Sequence, residues 1–234
     1  MRVAMLDGSP VRVEEEGMNR SGSETLWEVA SLLAREAAAV SRAAGRPGPD
    51  LPPLLFFTDP ERTPRPWEIA ARLPAGSGVV FRAFGAADAR DTGLRLREAT
   101  CRCDGLLLVG LDAELAEAIG ADGVHLPERA LHQAPALSAS RPAWRITGAV
   151  HSEAALAAAP NLDAAVLSPV FAAGGASGEK PALGIAEFSR LARSAAIPVY
   201  ALGGIDAGNA RSLLDSGAYG IAGVSAIRDA LEPD

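Results

Sequence analysis

VYALGGIDAGNARSLLDSGAYGIAGVSAI, residues Val199–Ile227, holds two short apolar runs, each broken by glycine and separated from the other by an amphipathic stretch. The first, Val199–Gly203, stops at Gly203-Gly204 and turns towards Asp206; the second, Gly220–Ala226, passes Gly223 and reaches Ser225. Both are continuously apolar instead of alternating, as parallel strands buried on two faces are. Asp206–Ser216 reads as the crossover helix that two parallel strands need between them.

The same unit recurs towards the N-terminus. Runs at Leu54–Thr58, Val79–Phe84, Leu106–Gly110, Gly123–Leu126, Arg145–His151 and Ala165–Phe171 complete a set of eight, with helical stretches such as Asp88–Ala99 between them. Strand and helix in alternation predict a parallel α/β sheet, and eight units predict its closure into a single (β/α)8 TIM barrel over residues 51–234. An open doubly wound sheet asks for a glycine-rich dinucleotide turn after the first strand, and Thr58-Asp-Pro-Glu-Arg-Thr-Pro64 is not one. Residues 1–50 stand apart as an N-terminal helical extension. Residues 1–22 are polar and aperiodic, a loose tail; Ser21 and Glu24 then form a capping box ahead of Leu26, Val29, Leu33, Ala37 and Val40 at helical spacing, and Gly45-Arg-Pro-Gly-Pro49 stops the helix.

Composition narrows the function. The 234 residues are 48% hydrophobic but only 5% aromatic, so the core is built from Ala, Val, Leu and Ile. A formal net charge of −7 argues against nucleic acid or an anionic membrane as partner, and makes any phosphate site a local one. No apolar run approaches the roughly 20 residues of a membrane span, and Glu14, Glu15 and Glu16 stand where a signal peptide has its apolar core. The expected location is the cytoplasm, with Cys101 and Cys103 as reduced thiols, since no further pair supplies zinc spacing. His125, His132 and His151 are too dispersed to form a metal site.

In a barrel of this kind the chemistry sits at the C-terminal strand ends, with phosphate on the loops after the seventh and eighth strands. Gly203 and Gly204 lack side chains and let their N–H groups approach an anion; Ser225 adds a hydroxyl, and Ala226 adds an amide in the first turn of the last helix. These four are the candidate phosphate ligands. A structural alternative is that Gly-Gly only turns the chain.

Five segments carry a resemblance: GADGVHLPE (Gly120–Glu128), the Val150-His151-Ser152 turn, SPVF (Ser168–Phe171), PVYALGGI (Pro198–Ile205) and GIAGVSAI (Gly220–Ile227). Together they resemble the superfamily that contains thiamine phosphate synthase and the thiazole tautomerase, over nearly all of residues 51–234. The resemblance implies a phosphorylated thiazole as ligand and an enzyme of thiamine biosynthesis. It also exposes departures. The Gln-x-Arg-x-Lys that holds the pyrimidine diphosphate in a synthase matches Val80, Arg82 and Phe84, so only the arginine is kept. The Asn-Asp after the third strand matches Gly110-Leu111, the second metal-binding Asp matches Ala130, and Thr-x-Thr-Lys matches Ala173, Gly175 and Ala176. Mg²⁺ is therefore expected only if synthase activity is retained, with Asp112 or Glu128 as displaced ligands.

His151, in the motif where the resemblance implies proton transfer in the tautomerase, is the candidate catalytic residue. An imidazole can take a proton from carbon and return one at neutral pH. Arg82, His125, Phe171 and Lys180 are candidate substrate-binding residues, His125 and Phe171 as pocket wall and Lys180 from a glycine-rich loop, Ala172–Pro181, that reads as a lid. On these residues proton transfer on a thiazole phosphate is favoured over coupling to the pyrimidine, because departure of a diphosphate needs cations that the motif positions no longer supply. Coupling by a rearranged site is the alternative. A non-catalytic binder of a thiazole or thiamine phosphate is a third, and a homo-oligomer is compatible with all of them.

Overall fold

A computed structural model of the chain describes residues 22–158, 161–172 and 181–231. The Ser21–Glu24 capping box and Lys180 lie outside what it describes, as does most of the glycine-rich loop. Eight parallel strands follow one another around a closed barrel: β1 (Leu54–Phe57), β2 (Gly78–Phe81), β3 (Leu106–Gly110), β4 (Gly123–Leu126), β5 (Arg145–Val150), β6 (Ala164–Leu167), β7 (Val199–Leu202) and β8 (Gly220–Gly223). Closure is made by β8 against β1, with Leu54 opposite Ile221 and Phe56 opposite Gly223. This is the expected (β/α)8 TIM barrel.

The barrel has two apolar layers because its strands are buried on both faces. Leu55, Phe57, Val80, Leu108, Val166, Tyr200 and Ala222 form the inner one. The Tyr200 hydroxyl donates to the Pro52 carbonyl at 2.5 Å and its ring meets Tyr219 edge-on, which closes the N-terminal end of the barrel. The helices around the strands are α1 (Gly22–Ala43), α2 (Pro66–Ala70), α3 (Ala89–Arg102), α4 (Ala113–Ala118), α5 (Ala134–Ser140), α6 (Glu153–Ala157), α7 (Gly184–Ser194) and α8 (Ser225–Leu231). The other strand face packs outwards, Leu107, Val124, Ile146, Leu167 and Ile221 meeting Leu96 of α3, Phe188 and Leu191 of α7 and Ile227 of α8.

The N-terminal helix α1 (Gly22–Ala43) belongs to this outer layer. Leu26, Val29, Ala30 and Leu33 fall on one face and are buried, against β8, β1 and the last helix, α8 (Ser225–Leu231). At about 1.5–3 kcal/mol for each fully buried Leu or Val, that stripe is what holds α1 to the barrel. Val40, counted in the same stripe by spacing, is exposed.

Two expectations are corrected. The runs Leu106–Gly110 and Gly123–Leu126 coincide with β3 and β4, but the other six overshoot their strands at the C-terminal end, so that Phe84, His151, Phe171 and Gly203 lie in loops at the rim; an apolar or glycine-rich pattern continues past the strand because the rim itself is lined by such residues. Asp206–Ser216 is not a full helix either. The Asp206 carboxylate accepts from the N–H groups of Gly208 (2.8 Å) and Asn209 (3.0 Å), and only a single 3-10 turn, Ala210–Leu213, follows. A side chain that bonds its neighbours' amides competes with helix formation. Cys101 is exposed and Cys103 half-buried at the end of α3, where burial raises the Cys103 pKa and keeps it the less reactive thiol form. Among the described residues no helix is long and apolar enough to cross a membrane.

Candidate active site

The rim after β7 is built around two glycines in the left-handed half of backbone space, Gly203 at φ +104° and Gly204 at φ +64°. A Cβ on Gly203 would sit 2.8 Å from Pro169 Cα, and one on Gly204 2.8 Å from Phe171 Cβ. Packing against the loop after β6 therefore requires glycine here, whatever binds. The Gly203 carbonyl accepts from Phe171 N–H (3.0 Å) and the Gly204 carbonyl from Asn209 Nδ2 (2.7 Å), which fixes both peptide planes. Both carbonyls are engaged, whereas the N–H of Gly204 meets no acceptor among the described residues. The same holds for Ser225 and Ala226, the first two residues of α8, whose amides precede the helix ladder. Gly203, Gly204, Ser225 and Ala226 thus lie on the neighbouring ends of β7 and β8, with the ring-bearing Phe171 next to Gly204.

His151 stands at the end of β5, half-buried at the mouth. Its Nδ1 is 2.8 Å from the Ser168 carbonyl and 3.2 Å from the Ser168 hydroxyl, and its own N–H donates to Glu128 Oε2 at 2.7 Å. Glu128 opens a 3-10 helix, Glu128–Gln133, after β4. His125, by contrast, is inside the barrel. It is buried, its Nδ1 is 2.9 Å from Thr147 Oγ1, and its ring meets Phe57 edge-on at 4.9 Å. Burial, with the Arg82 charge nearby, pushes its pKa down to about 3, so it is a neutral wall residue under the mouth. His132 is exposed on the 3-10 helix.

Arg82 lies beyond β2 and is held on three sides. Its Nε donates to the Thr58 carbonyl (2.7 Å), its main-chain N–H to Thr58 Oγ1 (2.9 Å), and an NH2 faces Asp59 Oδ2 at 3.4 Å. A hydrogen bond from Arg62, partly opposed by burial, lowers the Asp59 pKa to about 2 and keeps the pair charged. The Arg82 guanidinium is 5.7 Å from the Phe57 ring and 5.4 Å from the Phe84 ring. Thr58, Asp59, Thr147 and Ser168 are the positioning residues that sequence reading missed. Asp59 directly after a strand and Ser168 in SPVF were the available signals, but neither names its partner.

The resemblance implies Mg²⁺, and the residues do not fit it. The matched carboxylate positions hold Gly110-Leu111 and the buried Ala130. Asp112 caps helix α4 (Ala113–Ala118), its Oδ1 accepting from Leu115 N–H at 2.8 Å, and Glu128 is engaged by His151. Among the described residues no group of three or more His, Cys, Asp or Glu side chains is placed to hold a metal ion.

A closed parallel barrel that presents glycines and a helix N-terminus side by side at the ends of β7 and β8 has the architecture of the phosphate-binding (β/α)8 barrels. Within that class the chain belongs to the thiamine monophosphate synthase family, whose model matches residues 56–227. It is similar to the thiamine-phosphate synthase of Methanoculleus marisnigri, 34% identical over 60% of this chain and 67% of the relative. Similarity to the thiamine-phosphate synthase of Chlorobium luteolum extends further, at 36% over 80% and 90%. The thiamine phosphate pyrophosphorylase structure from Pyrococcus furiosus superposes with a TM-score of 0.64 at 26% identity, covering 79% of this chain and 93% of that one. These relatives carry the synthase name, and the comparisons give no support to the tautomerase-type proton transfer that the residues alone favoured.

Proposed function

We propose that this protein is a transferase of the thiamine phosphate synthase type, joining a phosphorylated thiazole to a pyrimidine-methyl diphosphate in the cytoplasm. The observation that carries the reading is the pair of strand ends at β7 and β8, inside the matched segment, where the N–H groups of Gly204, Ser225 and Ala226 are left for an anion. In this reading the thiazole phosphate sits on Gly203, Gly204, Ser225 and Ala226, and Phe171 walls the ring.

Coupling forms a bond from the thiazole nitrogen to the pyrimidine methylene carbon while the C–O bond to diphosphate breaks and its electron pair leaves with the diphosphate. Arg82 is the cation that this chain keeps at the corresponding strand end, oriented by Thr58 and Asp59. No step is assigned to Mg²⁺, because the donor set for it is missing among the described residues. The test is formation of thiamine phosphate from the two substrates, with Mg²⁺ and with a chelator. Product that saturates in both substrates supports the reading; none at high enzyme concentration overturns it.

A second reading, proton transfer on a thiazole carboxylate phosphate, is favoured by one observation: Nδ1 of His151 is committed to Ser168, which turns Nε2 into the proton-accepting atom. Tight binding with turnover in neither assay would leave a non-catalytic binder.

A further inference from the structure

Strands β1 and β8 are neighbours, and the segments that follow them, the loop and helix α2 after β1 and helix α8 after β8, face each other across an open cleft of about 300 Å³. Four arginines line it, Arg62, Arg65, Arg72 and Arg228. Arg65, Ile69 and Arg72 follow one another at steps of four and three residues, the spacing that puts side chains on one helical face, so the α2 side presents a basic edge and α8 adds Arg228 from across the cleft. In a chain of net charge −7 this is a local reversal of sign. The cleft shares no lining residue with Gly203, Gly204, Ser225, Ala226 or His151.

The arginines are positioned by the fold. Arg62 donates to Asp59 at 2.9 Å and Arg65 to Glu68 at 2.9 Å, while Arg228 reaches the Arg62 carbonyl at 2.8 Å and so ties α8 to the loop after β1. Arg72 pairs with no carboxylate among the described residues; its NH1 meets the Leu231 carbonyl at 3.4 Å. Glu68 is the one carboxylate among the described residues that lines the cleft, so positive charge dominates the walls. A guanidinium carries five N–H donors in a planar fork that matches phosphate oxygens two at a time, and Arg62 and Arg65 each direct one of theirs at the carboxylate beside them.

We propose that this cleft is a second ligand site, separate from the mouth, which binds an oligophosphate chain, inorganic or carried by a nucleoside, through its phosphates alone. The volume falls at the lower end of small-molecule pockets, about 300–1,000 Å³, and arginines on both walls suit an anion with several charges in succession. No aromatic side chain among the described residues lines the cleft, so a base finds no ring to stack on. The inference is independent of what the mouth binds.

The test is calorimetric titration of the full chain with inorganic tripolyphosphate in chelator, at about 0.15 M salt, where attraction between distant exposed charges is screened. Arg65→Gln combined with Arg72→Gln removes two cleft charges, and since both side chains are exposed the variant should melt with the wild type. Arg62 is left in place because it shares Asp59 with Arg82 of the mouth. The double variant should bind tripolyphosphate about tenfold or more weakly, and Ser225→Ala as tightly as the wild type. No saturable binding, equal affinity in the double variant, or a loss confined to Ser225→Ala overturns the cleft as the site. Adenosine triphosphate should bind within about threefold of tripolyphosphate, and binding of the nucleotide without the inorganic chain overturns recognition through the phosphates.

Discussion

His151 and Ser168 are joined across the mouth between β5 and β6, Nδ1 of the imidazole lying 2.8 Å from the Ser168 carbonyl oxygen. A carbonyl only accepts, so this nitrogen donates, and in the neutral imidazole Nε2 carries the lone pair. If coupling is the activity, a thiazole carboxylate phosphate should show no isomerisation above background. Isomerisation that His151→Ala reduces by about 10²-fold or more, with phosphate binding unchanged, would reverse the order of the two readings.

Gly203→Val should be destabilising by about 3 kcal/mol or more, because a β-branched residue is forced to φ +104° with its Cβ against Pro169. Chemical denaturation measures it. Since that variant mixes folding with binding, Ser225→Ala isolates the latter: loss of one hydroxyl should weaken thiazole phosphate binding about three- to tenfold with no change in stability.

His125 makes stability depend on pH. The imidazole is held neutral in the fold with its pKa at about 3, while in the unfolded chain it protonates near 6.5. As pH falls below about 6.5 the unfolded state gains a proton that the folded state refuses, so stability is lost across the window from about 6.5 down to about 3. Between about pH 7 and pH 4.5, urea unfolding should show the wild type losing about 2–3 kcal/mol more than His125→Gln. Asp59 acts lower, its contribution being present above the ordinary carboxylate range and lost as pH falls towards about 2.

Leu111→Asn should raise stability by about 0.5–1 kcal/mol, because asparagine accepts left-handed backbone that leucine resists. A thermal melt shows it.

Much of the fold was readable along the chain. Eight apolar runs, helical stretches between them and the heptad-like stripe Leu26, Val29 and Leu33 depend on local periodicity, which the side chains impose wherever they pack. The ends of β2, β6 and β7 were not readable, because Phe84, Phe171 and Gly203 continue the apolar pattern past the strand, whereas β3 and β4 end where their runs end. Nor was the Asp206–Ser216 crossover, where hydrogen bonds that the Asp206 carboxylate accepts from the amides of Gly208 and Asn209 replace a helix that composition allowed.

By itself the sequence determined the barrel, the glycine pair at the end of β7, the family and the loss of both metal carboxylates, since each is a matter of which residue stands at which position. Only the tertiary structure decided what the surviving polar groups are free to do. Asp112 and Glu128 are carboxylates in either view, but one caps α4 and the other holds the His151 amide. The sequence set His125 as a wall apart from His151 as a candidate catalyst, but the partners that make them so come from the fold: burial beside Thr147 holds His125 neutral, and the Ser168 carbonyl makes Nδ1 of His151 a donor. Hydrogen-bond partners across a barrel come from strands far apart in the chain, which is why periodicity and spacing do not reveal them.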